Sequence, residues 1–256
     1  MTENTRPLDG IHALVTGSGS GIGAAIADDL GRMGAAPTLV GRCDIPLAEK
    51  GRAIHGVFCH AQAMGLTDNG ALQGLFANVA SDFDTLVNNV GAAETASVLK
   101  TDMLKLNRTF DVNFRTAFSC AQAVSPRMLQ SGIGRIINIA SAASIKGYPC
   151  ISAYCAAKHA LLRFTRSLAA ELTSTNITVN AVCPGYTDTG LIDRAVGVVT
   201  AKTGTSADAI RAKYASLNPG GRLIEAWEVA SAVGWLCFSA TSAITGQAVI
   251  VADGDL

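Results

Sequence analysis

The chain has 256 residues, 49% of them apolar, and its 20 basic and 20 acidic side chains cancel. That is enough chain to bury one α/β core, while a neutral sequence without a basic block lacks the footprint needed to bind a phosphate backbone or an anionic membrane surface. No apolar run reaches the roughly 18 to 20 residues of a spanning helix, and the polar residues 1–10 show no charged-then-apolar secretory pattern.

Short apolar runs alternate with longer amphipathic ones. Residues 11–15 read as a buried strand, followed by a glycine turn and a helix over 23–33. Strands follow at 38–40, 61–66, 84–88, 135–139, 178–182 and 248–251, and long helical patterns cover 103–131 and 153–173. Apolar strands separated by helices predict a doubly wound, seven-stranded parallel sheet of Rossmann type, a three-layer α/β/α single domain over residues 1–256. The polar, small-residue stretch 188–218 lies between two strands, as either a substrate loop or an ordinary helical connection. Seven cysteines (Cys43, Cys59, Cys120, Cys150, Cys155, Cys183, Cys237) are scattered without a CxxC pair or zinc spacing. Reduced thiols, a cytoplasmic location and no metal site are therefore expected.

Sheets of this kind bind ligands at the carboxyl ends of their strands. After the first strand stands Thr16-Gly17-Ser18-Gly19-Ser20-Gly21-Ile22-Gly23, running directly into a helix. Glycines there let the chain turn tightly and let a pyrophosphate approach main-chain N–H groups at the positive helix end. A glycine loop alone is weak evidence; its place between a buried strand and an amphipathic helix is what points to a dinucleotide.

The spacing of Gly17, Gly21 and Gly23 resembles the short-chain dehydrogenase/reductase family, and further motifs follow in the family's order. Asn88-Asn89-Val90-Gly91 is similar to its segment after the fourth strand. Asn113 matches its mid-helix asparagine, Ser141 its serine after strand five, and Tyr154 with Lys158 its Tyr-x-x-x-Lys pair. Pro184-Gly185 matches the turn that holds the nicotinamide amide. The resemblance spans essentially the whole chain. It implies hydride transfer between NAD(P)(H) and a small-molecule carbonyl or secondary alcohol, with Asn113, Ser141, Tyr154 and Lys158 catalytic. Gly17, Ser20, Gly21, Ile22, Asn89, Gly91, Pro184, Gly185, Thr187 and Thr189, together with Tyr154 and Lys158, are implied on the cofactor. It also implies a homotetramer built through the two long helices.

Tyr154 and Lys158, four apart on a helix, share one face. A phenol of pKa about 10 exchanges protons poorly at neutral pH, and a nearby ammonium is expected to pull it down. Ser141, thirteen residues earlier, would fix the substrate oxygen, with Ser144 and Ser152 as local competitors. Asn113 is either a satisfied structural amide or the anchor of a water leading to the lysine.

The second strand ends Val40-Gly41-Arg42, with glycine where an acid would bind both ribose hydroxyls. A guanidinium there suits a 2′-phosphate, which favours NADP(H) over NAD(H), although Arg42 stacking on adenine, or Asp44 reaching a ribose, would read differently. The family's aspartate after strand three is replaced by Gly65, leaving the adenine contacts open. A weaker similarity in the final third, Asn218-Pro219-Gly220-Gly221-Arg222-Leu223 and Gly246-Gln247-Ala248, is to bacterial 3-oxoacyl or 3-hydroxyacyl thioester enzymes. Two other readings remain. A non-catalytic dinucleotide sensor or scaffold would not need the Tyr–Lys pair. A sugar-nucleotide epimerase would need an extra substrate domain, for which the sequence after the last strand is expected to leave no room.

Overall fold

The computed structural model describes residues 6–41, the backbone of 60–63, residues 70 and 74, and residues 83–255. Arg42, Cys43, Asp44, His55, Cys59 and residues 65–68 lie outside the described residues.

Seven strands form one sheet: β1 (His12–Thr16), β2 (Ala36–Gly41), β3 (His60–Ala63), β4 (Thr85–Asn88), β5 (Gly134–Ile139), β6 (Ile177–Pro184) and β7 (Ala248–Val251). Their order is β3-β2-β1-β4-β5-β6-β7, and every neighbouring pair is parallel. The chain starts in the middle, winds outward to β3, then crosses back to β4 beside β1. That reversal opens a crevice between the carboxyl ends of β1 and β4.

Period-2 alternation along the strands sends successive side chains to opposite faces. Ala13, Val15, Val87, Ile137 and Ile139 pack on one face, beneath α1 (Gly21–Arg32) and the last long helix. Leu14, Leu86 and Ile136 pack on the other. Both faces are covered, so the strands are apolar on both sides, as the sequence pattern required.

The helical pattern over residues 103–131 is interrupted where the sequence suggested continuity. Helix α2 (Met103–Phe110) passes through a wider turn at Asp111–Arg115 into α3 (Thr116–Ser131). In the wide turn the Thr116 hydroxyl donates to Asp111 O, five residues back, at 2.9 Å. One extra residue per turn rotates the side chains that follow, and such bulges favour functional positions. This one carries Asn113. Helix α4 (Ser152–Glu171) follows β5 and carries Tyr154 and Lys158 on its first two turns. Strand β6 outruns its sequence reading at both ends because its partners are staggered: Ile177 pairs with Gly134 of β5, and Pro184 with Val251 of β7.

Residues 188–218 fold as α5 (Gly190–Thr203) and α6 (Ala207–Ala215), held together by Ile192, Val196, Ile210 and Leu223 and by Arg211 bridging Asp188 and Asp193. Helix α7 (Ala226–Cys237) then returns to lie against α1. Among the described residues no helix is long and apolar enough to cross a membrane, and no cluster of metal-ligating side chains occurs.

Candidate functional site

The glycine loop is shaped by close approach. A Cβ at Gly23 would stand 2.3 Å from Gly17 O and 2.4 Å from Asn89 Nδ2, both fixed groups. Gly17 has φ +67°, a conformation open to glycine at no steric cost. Asn89 donates through Nδ2 to Thr16 O and Gly17 O, each at 3.1 Å, so its amide clamps the loop from β4. Thr16 completes the clamp. Its hydroxyl accepts from Asn89 N at 3.0 Å and Val90 N at 3.3 Å and donates to Val87 O. Sequence reasoning gave Thr16 no role, although a buried hydroxyl ending an apolar strand was a usable signal.

Ser20 is the N-cap of α1, yet its side chain makes no capping bond and is exposed. Thr189, N-cap of α5, also leaves its helix uncapped; its side chain packs 3.2 Å from the position of a Gly21 Cβ. Two helix N-termini with uncapped N–H groups thus meet at the glycine loop, where backbone approaches without side-chain obstruction. These residues fit a dinucleotide pyrophosphate.

On the other side of the crevice, Asn113 is 1% exposed and its amide is fully engaged. Its Oδ1 accepts from Ala92 N at 3.1 Å, and its Nδ2 donates to Ala92 O and Thr109 O, both at 2.9 Å. The satisfied amide is present and ties α2 to the segment after β4, and one asparagine can also anchor a water. Gly91 lies between Asn113 Oδ1 and Lys158 Nζ, which its Cβ would approach to 3.0 and 3.4 Å.

Lys158 is 3% exposed and donates to Ile139 O at 2.8 Å. Its Nζ stands 5.8 Å from the centre of the Tyr154 ring. The Ser141 hydroxyl is the neighbour that draws the Tyr154 phenol downward in pKa. The Ser141 hydroxyl also accepts from Ala143 N at 3.1 Å. Ser144 instead returns a bond to Ser141 N and is buried, and Ser152 is exposed at the helix start, so neither competitor reaches the tyrosine through a hydrogen bond.

The ionisation of the pair departs from the sequence expectation. Burial pushes the Tyr154 phenol up to about 12, the Ser141 hydroxyl only partly opposing it. Burial also takes Lys158 down to about 8. Each group is held toward its neutral form because a low-dielectric surrounding disfavours charge. The Lys158 ammonium, hydrogen-bonded to Ile139 O and 5.8 Å from the ring centre, does not offset that burial.

The turn after β6 closes the site. Gly185 has no space for a Cβ, which would lie 2.7 Å from Asn218 Oδ1. Asn218, 1% exposed, accepts from Tyr186 N and donates to Tyr186 O and Arg222 O. Thr187, 5% exposed, donates to Gly185 O, and Thr189 to Thr187 O. Of the four residues expected in this turn, Thr189 packs against the glycine loop, and Pro184, Gly185 and Thr187 lead from β6 to it. Arg42, the residue expected to choose the dinucleotide, lies outside the described residues.

The sequence pattern of the short chain dehydrogenases matches residues 11–196 of this chain. The chain belongs to that family. It is 36% identical over 265 residues to a protein from Streptomyces virginiae named as a ketoacyl reductase of the monensin polyketide synthase, covering 99% of this chain and 98% of that one. With the 3-oxoacyl-[acyl-carrier-protein] reductase FabG of Aquifex aeolicus it shares 32% over 257 residues, 96% of this chain and 98% of the relative. An actinorhodin polyketide ketoreductase variant solved with NADPH superposes with a TM-score of 0.91 at 30% identity, covering 95% and 96% of the two chains. The protein is an NAD(P)-dependent oxidoreductase acting on CH–OH or C=O groups.

A buried polar chain that sequence reasoning missed orients this family member's catalytic helix. Asn88 Nδ2 donates to Asn138 Oδ1, and Asn138 Nδ2 to Thr165 Oγ1, each at 2.9 Å. These bonds join β4, β5 and α4 beneath the site. The two asparagines are register partners, a pairing invisible until the strand order is known.

Proposed function

We propose that this chain is an NADPH-preferring reductase of a 3-oxoacyl thioester or closely related ketone, with Tyr154 as proton donor. The observation that carries the reading is buried Lys158, hydrogen-bonded to Ile139 O and 5.8 Å from the Tyr154 ring centre, on the same sheet edge as the close-packed glycine loop. The dinucleotide, when bound, supplies hydride to the carbonyl carbon. Ser141 holds the carbonyl oxygen beside Tyr154, which gives it the phenolic proton, so that ketone, hydride and proton together leave as a secondary alcohol and the phenolate regains a proton from solvent. Lys158 orients the nicotinamide ribose. Asn113 acts as a positioning residue, holding the wall against which Lys158 packs. Gly17, Ser20, Gly21, Ile22, Asn89, Gly91, Pro184, Gly185, Thr187 and Thr189 border the cofactor.

Support for the substrate class comes from the FabG-type and polyketide reductase relatives. Support for NADPH comes from the NADPH-bound neighbour and from Gly41 at the end of β2, where a carboxylate would repel a 2′-phosphate. Residues 188–218 form the substrate-side excursion. A cytoplasmic homotetramer is the assembly proposed, supported by Leu104 (76% exposed) and Phe118 (42%) on α2 and α3; light scattering tests it.

The deciding experiment pairs NADPH and NADH with acetoacetyl and longer 3-oxoacyl thioesters, simple ketones and sugars. Tyr154→Phe is expected to lower kcat by about a hundredfold to ten-thousandfold, the range of general-acid catalysis, while NADPH still binds. A wild-type protein that binds NADPH but turns over none of these carbonyls supports the sensor reading instead.

A further inference from the structure

Tyr148 lies between Ser141 and α4 in a stretch with little regular structure, flanked by Gly147 and Pro149. Main-chain bonds tie this stretch at Lys146 and Cys150, and between them a Cβ at Gly147 would meet nothing within 4 Å. Side chains add to that hold. Asp255, beyond β7 and 9% exposed, accepts from the Tyr148 hydroxyl through Oδ2 at 2.5 Å and from Lys146 Nζ through Oδ1. Lys146 Nζ also stands 5.3 Å above the Tyr148 ring.

The segment carrying Asp255 is itself anchored. Asp253 Oδ1 accepts from Arg222 Nη2 at 3.2 Å, and Arg222 is doubly paired with Glu228 at 2.6 and 2.8 Å. Asp253 Oδ2 occupies the space where a Gly220 Cβ would stand, at 2.4 Å. The carboxylate of Asp255 therefore projects from a fixed base, and Tyr148 is the group it fixes.

Fixed this way, the Tyr148 ring meets Tyr186 edge-to-face, with centroids 6.3 Å apart and planes at 89°. Tyr186 continues to Tyr214 of α6 at 5.6 Å. All three rings are partly exposed, and Tyr148 stands in the short segment that joins Ser141 to the helix bearing Tyr154. An aromatic wall thus runs from that segment to the excursion. Such rings favour a planar, unsaturated neighbour that stacks or meets them edge-on.

We propose that Asp255 is a positioning residue which, through Tyr148, sets the aromatic wall beside the helix bearing Tyr154 and selects ketones bearing an aryl or similarly planar substituent on the reacting carbonyl. The inference rests on the proposed reductase reading and names the substrate feature that site recognises.

The test compares 3-oxo-3-phenylpropanoyl and 3-oxobutanoyl thioesters of N-acetylcysteamine, which differ only in that substituent. Asp255→Asn and Tyr148→Phe are each expected to raise KM for the phenyl substrate by about tenfold, the loss of one charge-assisted hydrogen bond. KM for the methyl substrate, kcat and the NADPH Kd stay within about twofold. The double variant is no worse than either single one, because both remove the same contact. Additive effects, or equal losses on both substrates with a falling Tm, overturn the proposal. If the wild type reduces neither thioester, the proposed thioester substrate class fails, and the contact is read from ultraviolet titration of the tyrosines. Asp255→Asn then brings one high-titrating phenol back toward the ordinary range, and an unchanged titration overturns the Asp255–Tyr148 link.

Discussion

Replacing Gly23 by alanine isolates what the glycine loop requires. The new methyl would lie 2.3 Å from Gly17 O and 2.4 Å from Asn89 Nδ2, and neither group can swing away, since one is main chain and the other is bonded to Thr16 O and Gly17 O. The loop must therefore shift relative to β4. Overpacking of this kind costs about 1–3 kcal/mol, offset by about 1 kcal/mol because alanine suits a helix better than glycine. Stability is expected to fall by no more than about 2 kcal/mol. Binding suffers more. Losing one N–H contact to a charged phosphate costs about 1.5–3 kcal/mol, or roughly ten- to 150-fold in Kd. NADPH fluorescence titration beside urea unfolding separates the two effects. Gly197, exposed on α5 with nothing within 4 Å of its Cβ position, supplies the control. Gly197→Ala is expected to gain about 0.5–1 kcal/mol and leave Kd alone. A Gly23→Ala protein that binds NADPH within about twofold of wild type would refute the close-approach argument.

Asn113→Ala leaves Ala92 N, Ala92 O and Thr109 O without their partner, and is expected to cost about 2–4 kcal/mol in urea unfolding together with most of the activity. Asn218→Ala removes the bonds to Tyr186 N and Arg222 O and leaves Tyr186 O with Ile224 N alone; steady-state kinetics should show KM for the ketone rising while the NADPH Kd changes less. Lys158 links stability to pH. Its native pKa of about 8 lies below its ordinary 10.5, so between those values the unfolded chain binds the extra proton and stability rises with pH. Below about 8 the buried ammonium is a penalty. Wild type is therefore expected to gain about 3 kcal/mol on Lys158→Met across that window, and a flat difference between the two unfolding profiles would contradict the burial of the charge.

The sheet was legible because its strands are buried on both faces, which forces continuous apolar runs such as residues 11–15 and 135–139. Strand ends were less so: β6 extends to Pro184 only because β7 is there to pair with it. The break at Asp111–Arg115 left no mark in the apolar periodicity, since an inserted residue in one turn changes direction and not composition. The proposed site residues Ser141, Tyr154 and Lys158 stand out by residue type and by the family's motif order. Residues that place them do not. Thr16, Asn138 and Asn218 act through bonds between segments far apart in the chain, and spacing along one segment carries no trace of such bonds.

The same limit explains the misjudged tyrosine. Spacing of four puts Lys158 on the tyrosine's face of the helix, and proximity of charge alone predicts acidity. Acidity depends on where the charge points. With Nζ over the ring, 5.8 Å from its centre, and hydrogen-bonded to Ile139 O, the ammonium stabilises the aromatic face and does little for negative charge on the oxygen. Burial then decides, leaving a phenol that keeps its proton through the neutral range. Such a group is a ready donor and a poor acceptor. Carbonyl reduction needs a donor, whereas alcohol oxidation needs the phenol to have lost its proton first. Reduction should accordingly run at neutral pH without prior deprotonation, and oxidation should quicken as pH rises, because the same oxygen serves both directions from opposite protonation states.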